Sequence, residues 1–218
     1  MSLLPVLVLL LAAVPTLHLL DLRDSRPGEG LPAGWTVRQV KGQPPPEYLV
    51  LETGGELALR VSGRGAAAWA NRELAEPIGP AAGRLRWSWR VLELPRGSDL
   101  RDRAADDSAI RLYVVFGRPG GLFGGSGRIV FYTWGNAEPE GLTLRSFVSS
   151  RIQIVRVAGE MEADSLWRDH EVDPFADYRR FWRRDPPAIT AVGLMQDTDM
   201  TRSMAVAEFR DLRWDPGG

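Results

Sequence analysis

The sequence predicts an all-β fold, an antiparallel β-sandwich that carries one short surface helix. About ten short runs rich in β-branched and aromatic residues alternate with turns rich in glycine and proline, which is typical of sandwiches and barrels. Only one segment has a persuasive helical pattern, whereas a parallel α/β fold needs a helix between most pairs of strands. The chain has 218 residues, which is long enough to bury a single large core.

The predicted strands follow one another from residue 48 to residue 214 and are separated by turn residues. They are Tyr48–Glu52, Glu56–Ser62, Ala67–Glu73, Gly83–Glu93, Ala109–Phe116, Arg128–Trp134, Arg151–Val157, Trp167–Val172, Ala188–Met195 and Met204–Trp214.

The single helix is predicted after Asp173, a suitable N-cap, with Pro174 in the first helical position. Aromatic residues recur at three- and four-residue steps and form one face that would cover a sheet. In general, basic residues interleaved with aromatic ones can also bind nucleic acid or an anionic membrane surface, which is the alternative interpretation of this segment. The aromatic residues are Phe175, Tyr178, Phe181 and Trp182, and the basic ones are Arg179, Arg180, Arg183 and Arg184.

The N-terminus is predicted to direct export. The stretch from Leu3 to Leu20 is almost wholly apolar, as in a signal peptide, although no lysine or arginine precedes it and no clean Ala-x-Ala cleavage site follows. We expect residues 1–22 to be a signal peptide or an uncleaved anchor, residues 23–34 a linker, and residues 35–216 one β-sandwich domain. The expected location is the periplasm or the extracellular medium.

The amino-acid composition limits the kinds of functional site that the protein can have. The chain has no cysteine, two histidines and a net charge of −1, which excludes disulfide frameworks, zinc fingers and thiol nucleophiles. Carboxylates, arginines and aromatic side chains remain as the main functional groups. Because the charge is balanced, we expect no nucleic-acid partner, and we expect membrane contact only through the N-terminal segment.

Acidic residues and an arginine gather around the strand predicted at 109–116. Asp106 and Asp107 stand at its entrance, and alternation places Arg111 and Tyr113 on the face opposite its large apolar residues. An arginine and a tyrosine on one strand face are suited to bind a carboxylate or a hydroxyl-rich ligand. The two aspartates are interpreted as cation ligands, as acid–base groups, or as ion-pair partners that only hold the sandwich together.

A second oxygen-rich segment follows the strand at 188–195. Asp197 and Asp199, with Thr198 and Thr201, form a turn that alone cannot supply the six to eight oxygen ligands of calcium. Joined in space with the aspartates at 106 and 107, this turn would make a fuller set, and an Asx-turn is the alternative. We therefore expect no cofactor, with calcium as an open alternative.

Tryptophans offer stacking surfaces for sugar rings. Trp134 shares a strand face with Tyr132 and is predicted to add such a surface to the site. Trp87 and Trp89 also share a face, but the apolar residues flanking them favour a place in the core.

Several spaced motifs together resemble a known family. They are Leu85–Arg90, Asp106-Asp107 through Phe116, Tyr132-Thr133-Trp134-Gly135, Asp177-Tyr178 with Phe181, and Asp197-Thr198-Asp199 with Thr201. From Leu31 to Trp214 the chain resembles the uncharacterised bacterial family called domain of unknown function 3047. The resemblance implies an exported jelly-roll sandwich similar to carbohydrate-binding modules, and it implies no catalytic residues because the family has no established activity. The chain departs from the family at Trp182, where a glycine often follows the phenylalanine, and at Met200, where an asparagine is usual. The missing asparagine oxygen at position 200 weakens the calcium interpretation of this turn.

These observations favour a noncatalytic binding module for a carbohydrate or another polar cell-envelope ligand. The alternatives are a glycan hydrolase that uses paired carboxylates and a purely structural envelope protein. The residues predicted to line the site are Asp106, Asp107, Arg111, Tyr113, Trp134, Asp197 and Asp199.

Overall fold

The computed structural model describes residues 15–118, 127–159 and 165–217. The elements, in chain order, are β1 (Leu17–His18), β2 (Thr36–Gln39), β3 (Glu47–Thr53), β4 (Glu56–Arg64), β5 (Ala67–Ile78), β6 (Gly83–Glu93), β7 (Ser108–Phe116), β8 (Arg128–Trp134), β9 (Thr143–Arg145), β10 (Ile152–Ala158), β11 (Arg168–Val172), α1 (Pro174–Trp182), β12 (Ile189–Asp197) and β13 (Met204–Pro216).

Two sheets pack face to face, which confirms the predicted sandwich. The first sheet has the order β11-β6-β13-β4-β3, with β1 also paired to β13, and it is antiparallel throughout. The second sheet has the order β2-β5-β12-β7-β8-β10-β9 and contains one parallel pair, β8 with β10. Each of the ten predicted strands is present. The strands missed from sequence, β1, β2 and β9, span two to four residues, too few to show alternation.

Alternation along the strands builds the core between the sheets. The inward residues of β7 are apolar, from Ile110 to Phe116, and they meet the inward face of β6. Trp87 and Trp89 lie on that face of β6 and are buried, so the core interpretation of these two tryptophans is confirmed.

Helix α1 closes one end of the sandwich. The Asp173 side chain accepts a hydrogen bond of 2.9 Å from the Ala176 backbone N–H, as predicted for an N-cap. Phe175 packs edge-on against Phe116 and Trp214, with ring centroids 5.9 and 5.7 Å away. The aromatic face of α1 therefore covers the core, in agreement with the sequence pattern.

The segment before residue 35 packs on the domain. Leu19 and Leu20 are buried in the main core, and β1 pairs with β13. Further along, the backbone of Gly28 and Glu29 hydrogen-bonds to Val50 of β3 at 2.9 and 2.7 Å. The folded part thus extends into the residues assigned to the leader's end and the linker. Residues 1–14, the rest of the predicted leader, lie outside the described part, and no helix among the described residues is long and apolar enough to cross a membrane.

Candidate functional site

A pocket of about 290 Å³ lies on the outer face of the seven-stranded sheet. This face carries a second apolar cluster, separate from the core between the sheets. The pocket is lined by Val40, Trp69, Arg103, Asp106, Arg111, Phe131, Ser146, Phe147, Val148, Ile152, Met195, Asp197, Asp199 and Met200.

Strand register brings the floor of the pocket together. Trp69 of β5 stands opposite Met195 of β12, which stands opposite Arg111 of β7. Residues opposite each other on adjacent strands point to the same face of the sheet. Phe131 of β8 joins them one row along, where it pairs with Tyr113.

Arg111 is the buried centre of the charged groups. Its guanidinium pairs with Asp106 at 2.8 Å and with Asp197 at 3.6 Å, and it lies 5.5 Å from the centroid of the Phe131 ring. Burial alone would lower the pKa of Arg111, but the carboxylates of Asp106 and Asp197 outweigh burial and raise it. Arg111 is therefore held as a fixed cation beneath the pocket.

Asp197 is held in an unfavourable environment for a negative charge. Its Oδ1 atom is enclosed and accepts no hydrogen bond. Burial, helped by the neighbouring carboxylates of Asp199, Asp107 and Asp106, raises the pKa of Asp197 to about 7 despite the opposing effect of Arg111. Burial also raises the pKa of Asp106. At neutral pH this side of the pocket thus carries both donors and acceptors of hydrogen bonds.

The turn after β12 is oriented by residues that alternate with the aspartates. The buried Gln196 side chain donates to the carbonyls of Val61 and Ala109 at 3.1 and 3.0 Å. The Thr198 hydroxyl accepts a hydrogen bond of 2.8 Å from the Ala66 backbone N–H. The side chains of Gln196 and Thr198 are thus held towards the inside of the protein. Asp197 and Asp199, which alternate with them, point the other way and line the pocket.

Asp107 has a different role from the other aspartates. It is buried and accepts hydrogen bonds from Thr201, at 2.8 Å from the backbone N–H and 2.6 Å from the hydroxyl, and from the Met200 backbone at 3.2 Å. Asp107 therefore fastens the turn to the start of β7. Carboxylate oxygens of Asp107, Asp197 and Asp199 lie within 4.8 Å of one another, which supplies part of the oxygen set that a calcium ion requires.

Tyr113 supports the pocket from below and does not line it. The ring is fully buried under Trp69 and Phe131, with centroids 5.2 and 5.9 Å away. The hydroxyl donates to the Ala70 carbonyl at 3.1 Å. At Gly193 on the adjacent strand, a Cβ atom would clash with the Tyr113 hydroxyl, so only glycine leaves room for this ring.

The prediction that Trp134 offers a stacking surface is wrong. Trp134 is 1% exposed and packs in the core between the sheets, edge-on to Trp89 at 5.9 Å. It does share a face with Tyr132, but that face of β8 points inward. In the pocket the accessible aromatic surface belongs to the half-buried Trp69, whereas Phe131 is 2% exposed and forms part of the floor.

Sequence analysis missed the apolar part of the site. Trp69 stands among small alanines in β5, a context that carries no sign of a ligand. Phe147, Val148 and Met200 are exposed at the pocket mouth, and they are half of the six exposed large apolar residues in the described ranges. Such a concentration around one opening marks an interaction site.

A wider hollow of about 520 Å³ lies on the outer face of the other sheet, beside β1. Its charged groups are paired with each other: Arg23 with Asp21, Arg210 with Glu56. Ser88 likewise donates to Asp169. No phenylalanine, tyrosine or tryptophan of the described ranges lines this hollow, so the smaller pocket is the better ligand site.

Comparisons with known proteins agree with this architecture. A family model described as a protein of unknown function, DUF3047, matches residues 33–213 and so confirms the resemblance. No curated protein matches the chain. Among solved structures, the chain is similar to the family 11 carbohydrate-binding module of the cellulosomal cellulase Lic26A-Cel5E of Clostridium thermocellum, with a TM-score of 0.50, 9% identity, and 94% of this chain and 97% of that chain covered.

A second structure of a family 11 module from Clostridium thermocellum, in complex with a β-1,3-1,4-mixed-linked tetrasaccharide, is similar to the same extent. The TM-score is 0.50 at 10% identity, with 94% of this chain and 98% of that chain covered. Similarity at this level of identity shows the fold, a jelly-roll sandwich of the carbohydrate-binding-module type.

Proposed function

The chain belongs to the DUF3047 family, whose function is unknown, and we propose that it is a noncatalytic carbohydrate-binding module. The binding site is the pocket on the outer face of the seven-stranded sheet. The carrying observation is that a half-buried aromatic ring, Trp69, and an exposed one, Phe147, line one pocket together with Asp197, Asp199 and Arg111.

This combination matches the chemistry of a sugar. The C–H faces of a sugar ring pack on aromatic side chains, while its hydroxyls donate to carboxylates and accept from arginine. Fixed polar groups in a mostly apolar pocket are typical of small-ligand sites. The family 11 module with a bound tetrasaccharide shares the fold, which supports the proposal.

The charge and the volume of the pocket limit the class of sugar that it can bind. Three carboxylates line the pocket, from Asp106, Asp197 and Asp199, against two guanidinium groups. An acidic sugar would bring a further negative charge beside Asp199, so the site favours neutral sugars. At about 290 Å³, the pocket is at the small end of the range for ligand sites, and it therefore suits a short segment or the end of a glycan.

Isothermal titration against neutral and uronic-acid oligosaccharides tests the proposal. We expect binding of a neutral glycan and at least about tenfold weaker binding of its acidic counterpart. Trp69→Ala should weaken binding by about tenfold or more, because an aromatic surface in a binding site contributes roughly 1–2 kcal/mol.

The matched control is Trp167→Ala, since Trp167 is also half-buried but lies on the other sheet between Arg90 and Arg210. Absence of binding to any glycan, or equal losses in both variants, would contradict the proposal. Release of new reducing ends during incubation would replace it with the hydrolase alternative.

We also propose that the protein is exported to the periplasm or beyond. The apolar N-terminal stretch supports this proposal, as does the glycan chemistry of the pocket. Fractionation of cells expressing the full chain is the measurement, and recovery in the cytosol alone would contradict it.

A further inference from the structure

We propose that the end of the sandwich that carries α1 lies against an anionic phospholipid surface. The contact surface, named here the arginine face, consists of Arg128, Arg179, Arg180, Arg183 and Arg184. This inference does not depend on the proposed glycan binding, which uses other residues.

The helix separates aromatic from basic side chains. Phe175 and Tyr178 are buried against the sandwich, while Arg179, Arg180, Arg183 and Arg184 are exposed. Among the described residues, Arg180 has an ion-pair partner, Asp177 at 2.9 Å, and no such pair involves the other three. Arg179, Arg183 and Arg184 therefore present charge to solvent that no ion pair among the described residues uses.

Aromatic residues lie directly beneath this charge. The Arg128 guanidinium lies 5.8 Å from the Tyr178 ring and 5.6 Å from the Trp182 ring, and Arg180 lies 4.6 Å from the Phe181 ring. Phe181 and Trp182 are only half-buried. Arginines backed by amphipathic aromatic rings are suited to the headgroup region of a bilayer.

The apolar N-terminal stretch enters the domain at the same end. The Thr16 hydroxyl donates to Asp215 at 2.7 Å, and Leu17 of β1 pairs with Trp214. Trp214 in turn contacts Phe175 of α1. A helix of nine residues is about 14 Å long, so the point of entry and the arginine face share one end of the molecule.

A charged patch alone binds a membrane only weakly. The apolar sequence before the entry point adds the affinity that stable attachment needs. Residues 3–14 are apolar throughout, with one proline. Stable membrane attachment commonly combines an apolar anchor with a basic patch, and each arginine near an anionic surface adds about fivefold in affinity. We therefore assign the arginine face to anionic lipid phosphates beside that anchor.

The carboxylates of the glycan pocket lie far from this surface. Helix α1 contacts Phe116, which pairs with Ile189 at the start of β12. Asp197 is the last residue of that strand, about 27 Å further along. A molecule placed with α1 on a membrane therefore keeps the carboxylates of the pocket on the aqueous side.

Vesicle flotation of the full chain tests the proposal. The vesicles contain phosphatidylcholine alone, or equal parts of phosphatidylcholine and phosphatidylglycerol. Because both kinds of vesicle offer the same apolar interior to the N-terminal stretch, the difference between them isolates the charge contribution. We expect at least about tenfold tighter binding to the anionic vesicles, with the difference disappearing as salt screens the charges.

The test variant is Arg179→Gln with Arg183→Gln and Arg184→Gln, which leaves the Arg180–Asp177 pair intact. It should lose most of the preference for anionic vesicles. The control is Arg64→Gln with Arg96→Gln and Arg202→Gln, an equal change of charge at exposed sites near the start of β13 and far from α1 and Arg128, and it should keep the preference.

A lysine version of the test variant restores the charge and should restore the preference, which separates charge from loss of folding. The proposal is overturned if the glutamine variant keeps the wild-type preference, or if the control loses it equally. It is also overturned if the protein binds a DNA duplex through these arginines and shows no preference between the vesicles.

Discussion

Asp197 has the most strongly perturbed environment among the pocket carboxylates. Burial and three neighbouring carboxyl groups raise the pKa of this side chain from 3.8 to about 7, although Arg111 opposes the shift. The ionised form is therefore disfavoured in the folded protein relative to the unfolded chain. This group stabilises the fold most below about pH 4, and its contribution is lost as the pH rises through about 7.

Asp197→Asn removes the pH dependence of stability that this carboxyl causes, since an amide does not titrate. We expect the unfolding free energy of the variant, relative to wild type, to rise by on the order of 2 kcal/mol between about pH 4 and about pH 8. Arg111 keeps Asp106 as a partner in the variant. Thermal unfolding at a series of pH values is the measurement.

Comparing variant with wild type cancels the effect of other titrating groups, such as His170, whose pKa is lowered by burial. Asp185→Asn, at an exposed position outside the cluster, serves as control and should run parallel to wild type. A profile for Asp197→Asn that also runs parallel would show that this carboxyl does not titrate near neutrality.

Individual residues of the site differ in how well sequence predicted them. Alternation correctly separated Arg111 from the apolar face of β7, because that pattern is local. It could not show that Trp134 points inward, because both faces of β8 are apolar and buried. Trp69 was missed because its partners Met195 and Arg111 are distant in sequence and meet only through strand register.

At the level of strands, β13 shows how a buried charge is tolerated on an outer face. Glu208 is fully buried between two neighbouring strands, opposite Arg60 on β4 and Arg90 on β6. Each carboxylate oxygen pairs with one arginine at 2.6 Å. Arg90 also donates to the Thr53 hydroxyl at 2.9 Å, so one glutamate ties together four strands, β3, β4, β6 and β13.

Glu208→Gln is expected to lower the unfolding free energy by about 2–3 kcal/mol, because it leaves two arginines without their buried counter-charge. Denaturant titration measures the change. The control is Glu171→Gln on the same sheet, where the carboxylate pairs with Arg86 at 2.6 Å but is half-exposed. That exposed pair should contribute less than about 1 kcal/mol, and equal losses in both variants would disprove the special role of burial.

Across the whole molecule, the N-terminal segment is part of the fold. Leu19 and Leu20 donate backbone hydrogen bonds to the Leu212 carbonyl at 2.8 and 3.1 Å, and the Leu19 carbonyl accepts one from Arg72 at 2.5 Å. This segment thereby joins β13 of one sheet to β5 of the other. A processing site that leaves the domain intact must precede residue 17.

Leu20→Ala tests this role, because it deletes a side chain that is 3% exposed in the main core. We expect a loss of about 2–4 kcal/mol in unfolding free energy, measured by chemical denaturation. Leu17→Ala, at a neighbouring position with a 40% exposed side chain, should change it by less than about 0.5 kcal/mol. An unaffected Leu20→Ala protein would mean that the segment is dispensable.

The fold class, ten of the strands, the helix with its cap, and the nearness of Asp106 to Arg111 follow from the sequence, because each depends on periodicity or spacing within a short stretch. The meeting of Asp197 with Arg111 is decided only by the tertiary structure. The pocket could not be predicted from the sequence. Its aromatic floor comes from β5 and β8, which have β12 and β7 between them in the sheet, and no local pattern encodes that pairing. For the same reason, only the packed structure places the arginine face beside the entry of the N-terminal segment. Trp214 of β13 pairs with Leu17, which is almost two hundred positions away in the chain, and also contacts Phe175 of α1.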